Sequence, residues 1–465
     1  MAGLPNLKIA PQPPIVGSGS PTVGIQAAAT ATPDRVRSLQ QTDDHKPGIK
    51  KLLADAILKT DRFARDPGGR LYRFEKGAYR AAGDVSVKRR VKSLLETWEL
   101  TGEWSSHLAN EVVEYIQVDA PELWERSPFD VLNVRNGLLT VNTGDLRPHS
   151  PDFLSPIQLP VAYEPDATCP HWDKFVGEMF PSDAHDLAYE LPAWLMLPDV
   201  SIQKAVLFVG EGANGKSTYL TALRAFLGSH NVSGVSLHKL ESDRFAAARL
   251  VGKLANICPD LPSHHLEGTS IFKQITGGDT VTAEYKFKDS FDYLPSARLV
   301  FSANECPRSS DAAHAFFRRW IVVPFLRTLE HSEQIPRTEL DARLAAPGEL
   351  SGVLNRALLA LRVIRSRGGL TESPSMRAAW GDFLATTDPL AIWLDQTTSG
   401  NSDAVVTKHA LVASHNAAAT VSGRPTMTAA GFGRALKRLK PGIQEAQRTV
   451  DGELQWVWLG LALRE

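Results

Sequence analysis

The chain has 465 residues, enough for two or three domains with cores of their own. Its 51 lysines and arginines almost balance 52 aspartates and glutamates, which excludes a generally basic nucleic-acid coat and leaves any polyanion contact to a local patch. Three widely separated cysteines, Cys169, Cys258 and Cys306, exclude a disulfide framework and supply no zinc spacing; Cys169-Pro-His171 would be only half a metal site.

Proline, glycine, serine and alanine dominate residues 1–48, so a disordered leader is expected there. No stretch is apolar for long enough to cross a bilayer, and no basic segment leads into an apolar one near the start. A soluble, intracellular protein is expected.

Residues 49–200 have the mixed pattern of an α+β accessory domain. Leu52, Leu53, Ile57 and Leu58 suggest a first helix, and Leu71–Phe74 with Gly77–Tyr79 a strand-turn-strand unit. Val87–Trp98 suggests an amphipathic helix with a basic face. Val131–Val141 suggests a hairpin turning at Asn136-Gly137. After several prolines, Asp183–Leu197 has helical character.

The most informative stretch is 205–228. An apolar run, Ala205–Val209, predicts a buried parallel strand. Gly210-Glu-Gly-Ala-Asn-Gly-Lys216-Ser217 then fits the phosphate-loop pattern G-x-x-x-x-G-K-[ST], and Tyr219, Leu220, Leu223, Phe226 and Leu227 recur at helical spacing. Glycines let backbone N–H groups close on phosphates, and a helix start adds partial positive charge. Gly210, Gly212, Asn214, Gly215, Lys216, Ser217 and Thr218 are therefore expected around a bound nucleotide. Lys216 would reach the β- and γ-phosphates of ATP, and Ser217 would ligate Mg²⁺.

Further strands are expected at Leu254–Asp260, Thr280–Lys288, Arg298–Asn304 and Ile321–Phe325, with a short helix at Ser270–Ile275. Asn256 interrupts the first and Pro259 crowds its end, so that strand is expected to be irregular. Asp260 is placed to hold Mg²⁺ or orient water, Asn304 to sense the γ-phosphate, and the pair Arg318-Arg319 to supply an arginine finger. Residues 331–370 form a helical segment. In 371–465, Thr428–Leu439 suggests an amphipathic helix and Gln447–Trp458 a hairpin with an Asp451-Gly452 turn, the outline of a winged helix.

Together, GEGANGKST (210–218), Asp260, FKQITGGDTVTAEYKFK (272–288), LVFSANECP (299–307) and FFRRWIVVPF (316–325) resemble superfamily 3 helicases. Within these, the chain is most similar to the phage and plasmid primase–helicase family, with poxvirus-type and satellite-phage-type ATPases among its relatives. LNVRNGLLTVNTGDLRPHSP (132–151) resembles that family's accessory domain.

The resemblance implies an AAA+-like P-loop core at 201–330, between the accessory domain and a winged-helix-like domain at 371–465. It implies an ATP- and Mg²⁺-dependent ring, usually a hexamer, that moves 3′ to 5′ on single-stranded DNA at a replication fork or origin in a bacterial host's cytoplasm. Lys216, Asp260, Asn304, Arg318 and Arg319 would be catalytic, with Ser217 and Asp260 at the metal. With one obvious acid, the base is Asp260 itself or Glu284. Lys286 and Lys288, with Lys273 in the same motif, are the candidate DNA contacts. Residues 1–48 are too short for a primase domain, so a separate primase is a possible partner. Two rivals stay open: a packaging or loading motor, and an origin-binding protein that uses ATP only as a switch.

Overall fold

The computed structural model describes residues 48–212, 214–262, 266, 268–304, 314–327, 335–400 and 404–464. Residues 1–47 of the expected leader and Cys306 lie outside the described residues.

The N-terminal part packs helices α1 (Ile49–Thr60), α2 (Gly83–Thr97) and α3 (Ser106–Asp119) beside an antiparallel meander of β1 (Phe63–Arg65), β2 (Leu71–Glu75) and β3 (Ala78–Ala81). Helical spacing decides what is buried: Val87, Val91 and Leu95 of α2 face Leu53, Ile57, Val112 and Ile116 in one cluster.

A second meander, β4 (Val131–Val134), β5 (Gly137–Thr140) and β6 (Leu146–Arg147), is followed by α4 (Pro170–Met179) and α5 (Leu187–Leu195). The β4–β5 turn is Arg135-Asn136 rather than Asn136-Gly137, because Val134 pairs with Gly137. Gly137 is needed inside its strand: a Cβ there would lie 2.4 Å from the Arg147 carbonyl oxygen.

The centre of the molecule is a parallel sheet. In chain order its strands are β7 (Ala205–Val209), β8 (Val232–Ser233), β9 (Ala255–Cys258), β12 (Arg298–Ala303) and β13 (Trp320–Pro324), and the spatial order is β13-β7-β12-β9-β8. Helix α6 (Lys216–Leu227) follows β7, α7 (Leu237–Ser242) follows β8, and α8 (Ser270–Gly277) precedes an antiparallel hairpin of β10 (Val281–Glu284) and β11 (Ser290–Tyr293). The fold is thus mixed α/β around a parallel sheet.

Strand side chains alternate between two apolar layers. Val206, Phe208, Val300, Ile321 and Val323 face α4, α5 and α6. Ala205, Leu207, Leu299, Phe301 and Val322 face α8 and the β10–β11 hairpin. The first layer reaches without interruption from Leu132 to Met376 and takes in α10 (Arg337–Leu344) and α11 (Pro347–Arg367). The division expected at residue 200 therefore coincides with no break in packing.

Two further expectations are corrected. β9 is regular: all four of its residues are buried, and Asn256 completes the pattern by accepting from Val235 N at 2.7 Å and donating to Val235 O at 2.8 Å. Thr280–Lys288 is not one strand but the first arm and turn of the β10–β11 hairpin.

Short helix α9 (His314–Phe317) enters β13, and α12 (Pro374–Thr387) packs against that edge, with Phe383 in the second layer. The C-terminal part has α13 (Pro389–Thr397), α14 (Lys408–Val421) and α15 (Ala429–Leu439). A sheet of β15 (Val405–Thr407), β17 (Glu453–Leu459) and β16 (Gln444–Val450) lies against them, and β14 (Thr398–Ser399) pairs with β18 (Ala462–Leu463). Thr407 and Thr428 cap α14 and α15 through their side-chain oxygens. Asp451 and Gly452 both take positive φ at the β16–β17 turn, as that two-residue loop requires. No helix among the described residues is long and apolar enough to cross a membrane.

Candidate functional site

The sheet's C-terminal edge gathers the polar residues. β7 ends at Val209 and the chain turns at Gly210, whose φ is +151°; a Cβ there would fall 2.4 Å from the Phe325 carbonyl oxygen. Gly215 (φ +83°) starts α6, and Met179 of α4 lies 3.0 Å from where its Cβ would be. Gly212 faces open space. Asn214 is buried and donates to Phe325 O at 3.2 Å, which ties the loop to the strand beside β7.

Lys216 is buried at the first turn of α6. Its ammonium donates to Gly210 O at 2.5 Å, Glu211 O at 2.8 Å and Asn214 Oδ1 at 3.1 Å. All three acceptors are neutral, and burial lowers the lysine's pKa. Ser217 is exposed beside it.

Asp260 follows β9 and is exposed. Leu261 N donates to Ser302 O at 2.8 Å, which fixes the Asp260 turn to the end of β12, and Asn304 lies just beyond that end. Gly212, Asn214, Gly215, Lys216, Ser217 and Thr218 share one cavity of about 740 Å³ with Asp260 and Asn304. Residues separated by about 90 positions thus converge because three adjacent parallel strands end together.

The same cavity is lined by Arg327, Arg337 and Arg343, which sequence reasoning missed. Arg327 follows β13 and the other two lie on α10, where Arg337 pairs with Asp341 and Arg343 with Glu339. No local motif marks them, since their relation to the glycine loop is purely spatial. Glu178 and Glu211 are the other carboxylates of the lining. Glu284 is elsewhere: it sits on the hairpin and pairs with Arg244 at 3.4 Å.

Arg318 and Arg319 are not brought to Lys216. They precede β13, whose Trp320 lies opposite Ala205, so they stand at the N-terminal edge of the sheet. The glycine loop is a strand length away, about 16 Å. Arg318 is exposed. Arg319 is buried and donates to Ala315 O at 2.6 Å; burial first, then the neighbouring Arg318 charge, lowers its pKa.

Lys286 and Lys288 lie in the turn between β10 and β11, both exposed, and Lys288 N closes the turn on Tyr285 O at 2.9 Å. Between them Phe287 is 90 % exposed at φ +65°, with the Lys286 ammonium 5.1 Å from its ring centre. An apolar ring held in solvent on a left-handed residue is costly for the isolated chain. Lys273 is half-buried on α8. Among the described residues no group of three potential metal ligands occurs, and Cys169 and Cys258 are buried free thiols.

Residues 51–181 match the family model described as D5 N terminal like, and residues 208–319 match that of a family of unknown function, DUF5906. Over 215 residues, 44 % of this chain, the sequence is 27 % identical to the "Putative helicase L207/L206" of Acanthamoeba polyphaga mimivirus, of which it spans only 22 %. Among solved structures, an apo A form of the NrS-1 C-terminal region aligns with 89 % of the chain and all of its own at TM-score 0.48 and 13 % identity. A second apo structure of that region aligns with 90 % at 0.45 and 12 %. A D5 N-terminal-like region followed by a DUF5906 region is a primase–helicase-like architecture, consistent with the phage-type superfamily 3 primase–helicase family.

Proposed function

We propose that the chain is an ATP-hydrolysing DNA helicase of superfamily 3, acting as a homo-oligomeric ring, a hexamer on the family's pattern, on single-stranded DNA during replication of a phage or mobile element. The observation that carries this is the convergence of Lys216, Ser217, Asp260 and Asn304 on one cavity at the ends of three adjacent parallel strands. The strand order β13-β7-β12-β9-β8 supports an AAA+-like P-loop core, with the glycine-loop strand inside the sheet.

In this reading the Lys216 ammonium exchanges three neutral oxygens for phosphate, and the loop's N–H groups hold the nucleotide. Asp260 and Asn304 orient water and sense the γ-phosphate. Ser217 and Asp260, one hydroxyl and one carboxylate with room for waters, suit Mg²⁺, which would neutralise charge on the phosphates. Arg318 acts on a neighbouring subunit's nucleotide. In this reading three parts serve the helicase: an accessory region at 49–200, whose residues from Leu132 on share the core's apolar layer, the ATPase core at 201–330 with the helical segment 331–370, and a winged-helix-like domain at 371–465.

The test is ATP turnover with and without single-stranded DNA, together with strand separation, for wild type and Lys216→Ala. A helicase loses both activities in the variant, turnover falling by at least about 10²-fold, as when one preorganised charge donor is removed. DNA-stimulated turnover without strand separation would select the packaging or loading motor instead. Binding of ATP without turnover would select the switch.

A further inference from the structure

A second large cleft lies away from the nucleotide cavity, between the N-terminal part and the edge of the parallel sheet. It measures about 910 Å³. One wall comes from the β1–β3 meander, the other from the end of α6, strand β8 and the loop before β9. Six cations line it: Arg70, Lys76 and Arg80 on the first wall, Arg224, Arg249 and Lys253 on the second. Glu75 is the one acidic side chain in that lining.

Charge on this scale is not expected from composition, because the whole chain carries a formal charge of −1. Among the described residues none of the six forms an ion pair with a carboxylate. Arg80 donates to Pro156 O and Gln158 Oε1, Arg224 to Ile257 O, and Lys253 to His230 O, all neutral acceptors. Arg70 lies over the Tyr285 ring, 4.1 Å from its centre. Lys76 and Arg249 are exposed. Burial lowers the pKa of Arg80 and Lys253, and the charge of Arg70 adds to the effect at Lys253. Asp66 beside Arg70 and Glu75 beside Arg80 offset part of this charge; the cations left over on two facing walls repel one another, and an anion between the walls would relieve that repulsion.

We infer that this cleft is a second nucleic-acid site, holding the phosphodiester backbone of a single DNA strand between the N-terminal part and the sheet edge. Tyr285 belongs both to the cleft and to the base of the hairpin turn that carries Lys286 and Lys288, so a strand leaving the cleft meets that turn. A space of this volume takes a few nucleotides of one strand, whereas a duplex, with a major groove alone about 12 Å wide, would only rest on the rim. The aromatic rings of the lining are buried or covered by Arg70, so recognition is by phosphate and is indifferent to base sequence. The inference builds on the DNA-handling reading above but needs no nucleotide hydrolysis.

The experiment measures binding of a fluorescein-labelled oligothymidylate to the full chain without nucleotide, across a salt series. The variant combines Arg70→Gln, Lys76→Asn and Arg249→Gln; all three residues are exposed, and asparagine tolerates the positive φ of Lys76. Each lost phosphate contact removes about 0.7 from the slope of log K against log salt, so the slope falls by about 2 and affinity in 0.1 M salt by about 100-fold. A companion chain with Arg70→Lys and Arg249→Lys keeps the wild-type slope. The inference is overturned if the neutralised variant keeps its slope while wild type binds, if the charge-conserving chain loses as much, or if a duplex probe is weakened equally. It is also overturned if calorimetry finds lost affinity for inorganic phosphate but none for the oligonucleotide. Turnover of Lys216→Ala tests the nucleotide reading separately, so either can fail alone.

Discussion

The Tyr285 hydroxyl donates a 2.9 Å hydrogen bond to Oδ2 of Asp66, joining groups 219 positions apart. Tyr72 reaches the same oxygen at 3.3 Å, and Arg70 N donates to Oδ1 at 2.8 Å. Gly68 leaves room for the contact: a Cβ there would fall 2.5 Å from the Tyr285 ring. The β10–β11 hairpin is therefore fastened at its turn to the N-terminal part. The turn that carries Lys286 and Lys288 thus rests on the meander as well as on the sheet.

Removing the fastener should be measurable. Asp66 is buried, and Asp66→Ala would strand two tyrosine hydroxyls and the Arg70 amide, at a cost of about 1–3 kcal/mol in denaturant unfolding. Asp66→Asn keeps acceptor oxygen and should lose less. The pH dependence has a definite sign. Burial raises the Asp66 pKa above its ordinary 3.8, against the hydrogen bonds that lower it. The stability linked to that shift is fully present below the unfolded value and is lost as pH rises through the folded one. The Asn variant should lack this component of the pH profile; an unchanged profile would refute it.

The glycine loop predicts a contrast between two glycines of one motif. Gly210→Ala forces a Cβ against Phe325 O at positive φ, a strain of about 1–3 kcal/mol, and should abolish binding of a fluorescent ATP analogue. Gly212→Ala meets nothing within 4 Å and should change stability by less than about 0.5 kcal/mol. Equal melting temperatures for the two variants would contradict the loop geometry.

How far the sequence alone reveals this arrangement depends on the range of the forces involved. The glycine loop is legible because strand, turn and helix are consecutive and each carries a local signal. The hairpin at 281–293 is half legible. Val281 and Ala283 alternate with Thr282 as a strand should, but the reversal has no Gly, Pro or Asn, and Phe287 takes the positive φ instead. Asn136-Gly137 errs the other way: a favoured turn pair lies across a turn end because Gly137 is needed against Arg147. The helical spacing of α4 and α5 reveals a buried face but not its partner, so nothing before folding shows that they cover the central sheet. Arg337 and Arg343 reach the cavity only through that same long-range packing.

Phe287 and its flanking lysines should separate in a binding titration. Charge removal by Lys286→Gln with Lys288→Gln should lower the salt slope for single-stranded DNA by about 1.4. Phe287→Ala should leave that slope intact and lose about 1–3 kcal/mol, the usual worth of one base stacked on a ring. If Phe287→Ala binds like wild type, the exposed ring stacks on no base.

The two adjacent arginines should not be equivalent. Arg319 is buried, donates to Ala315 O at 2.6 Å, and its own carbonyl accepts from Ala205 N at 2.7 Å at the start of β7. Arg319→Ala should therefore lower stability, by about 1–3 kcal/mol for a lost buried partner. Arg318 is exposed at the sheet edge opposite the nucleotide cavity, and among the described residues no ion pair or side-chain hydrogen bond engages its guanidinium. Its planar, permanently charged fork suits a phosphate across a subunit interface. Arg318→Ala should melt like wild type yet lose about 10³- to 10⁵-fold in turnover, the range of fingers supplied in trans. Mixing it with Lys216→Ala, each inactive alone, should restore part of the ATPase activity, because some interfaces then join an intact loop to an intact Arg318. Normal assembly with no recovery at any mixing ratio would place the action of Arg318 within its own chain and remove the case for a shared site.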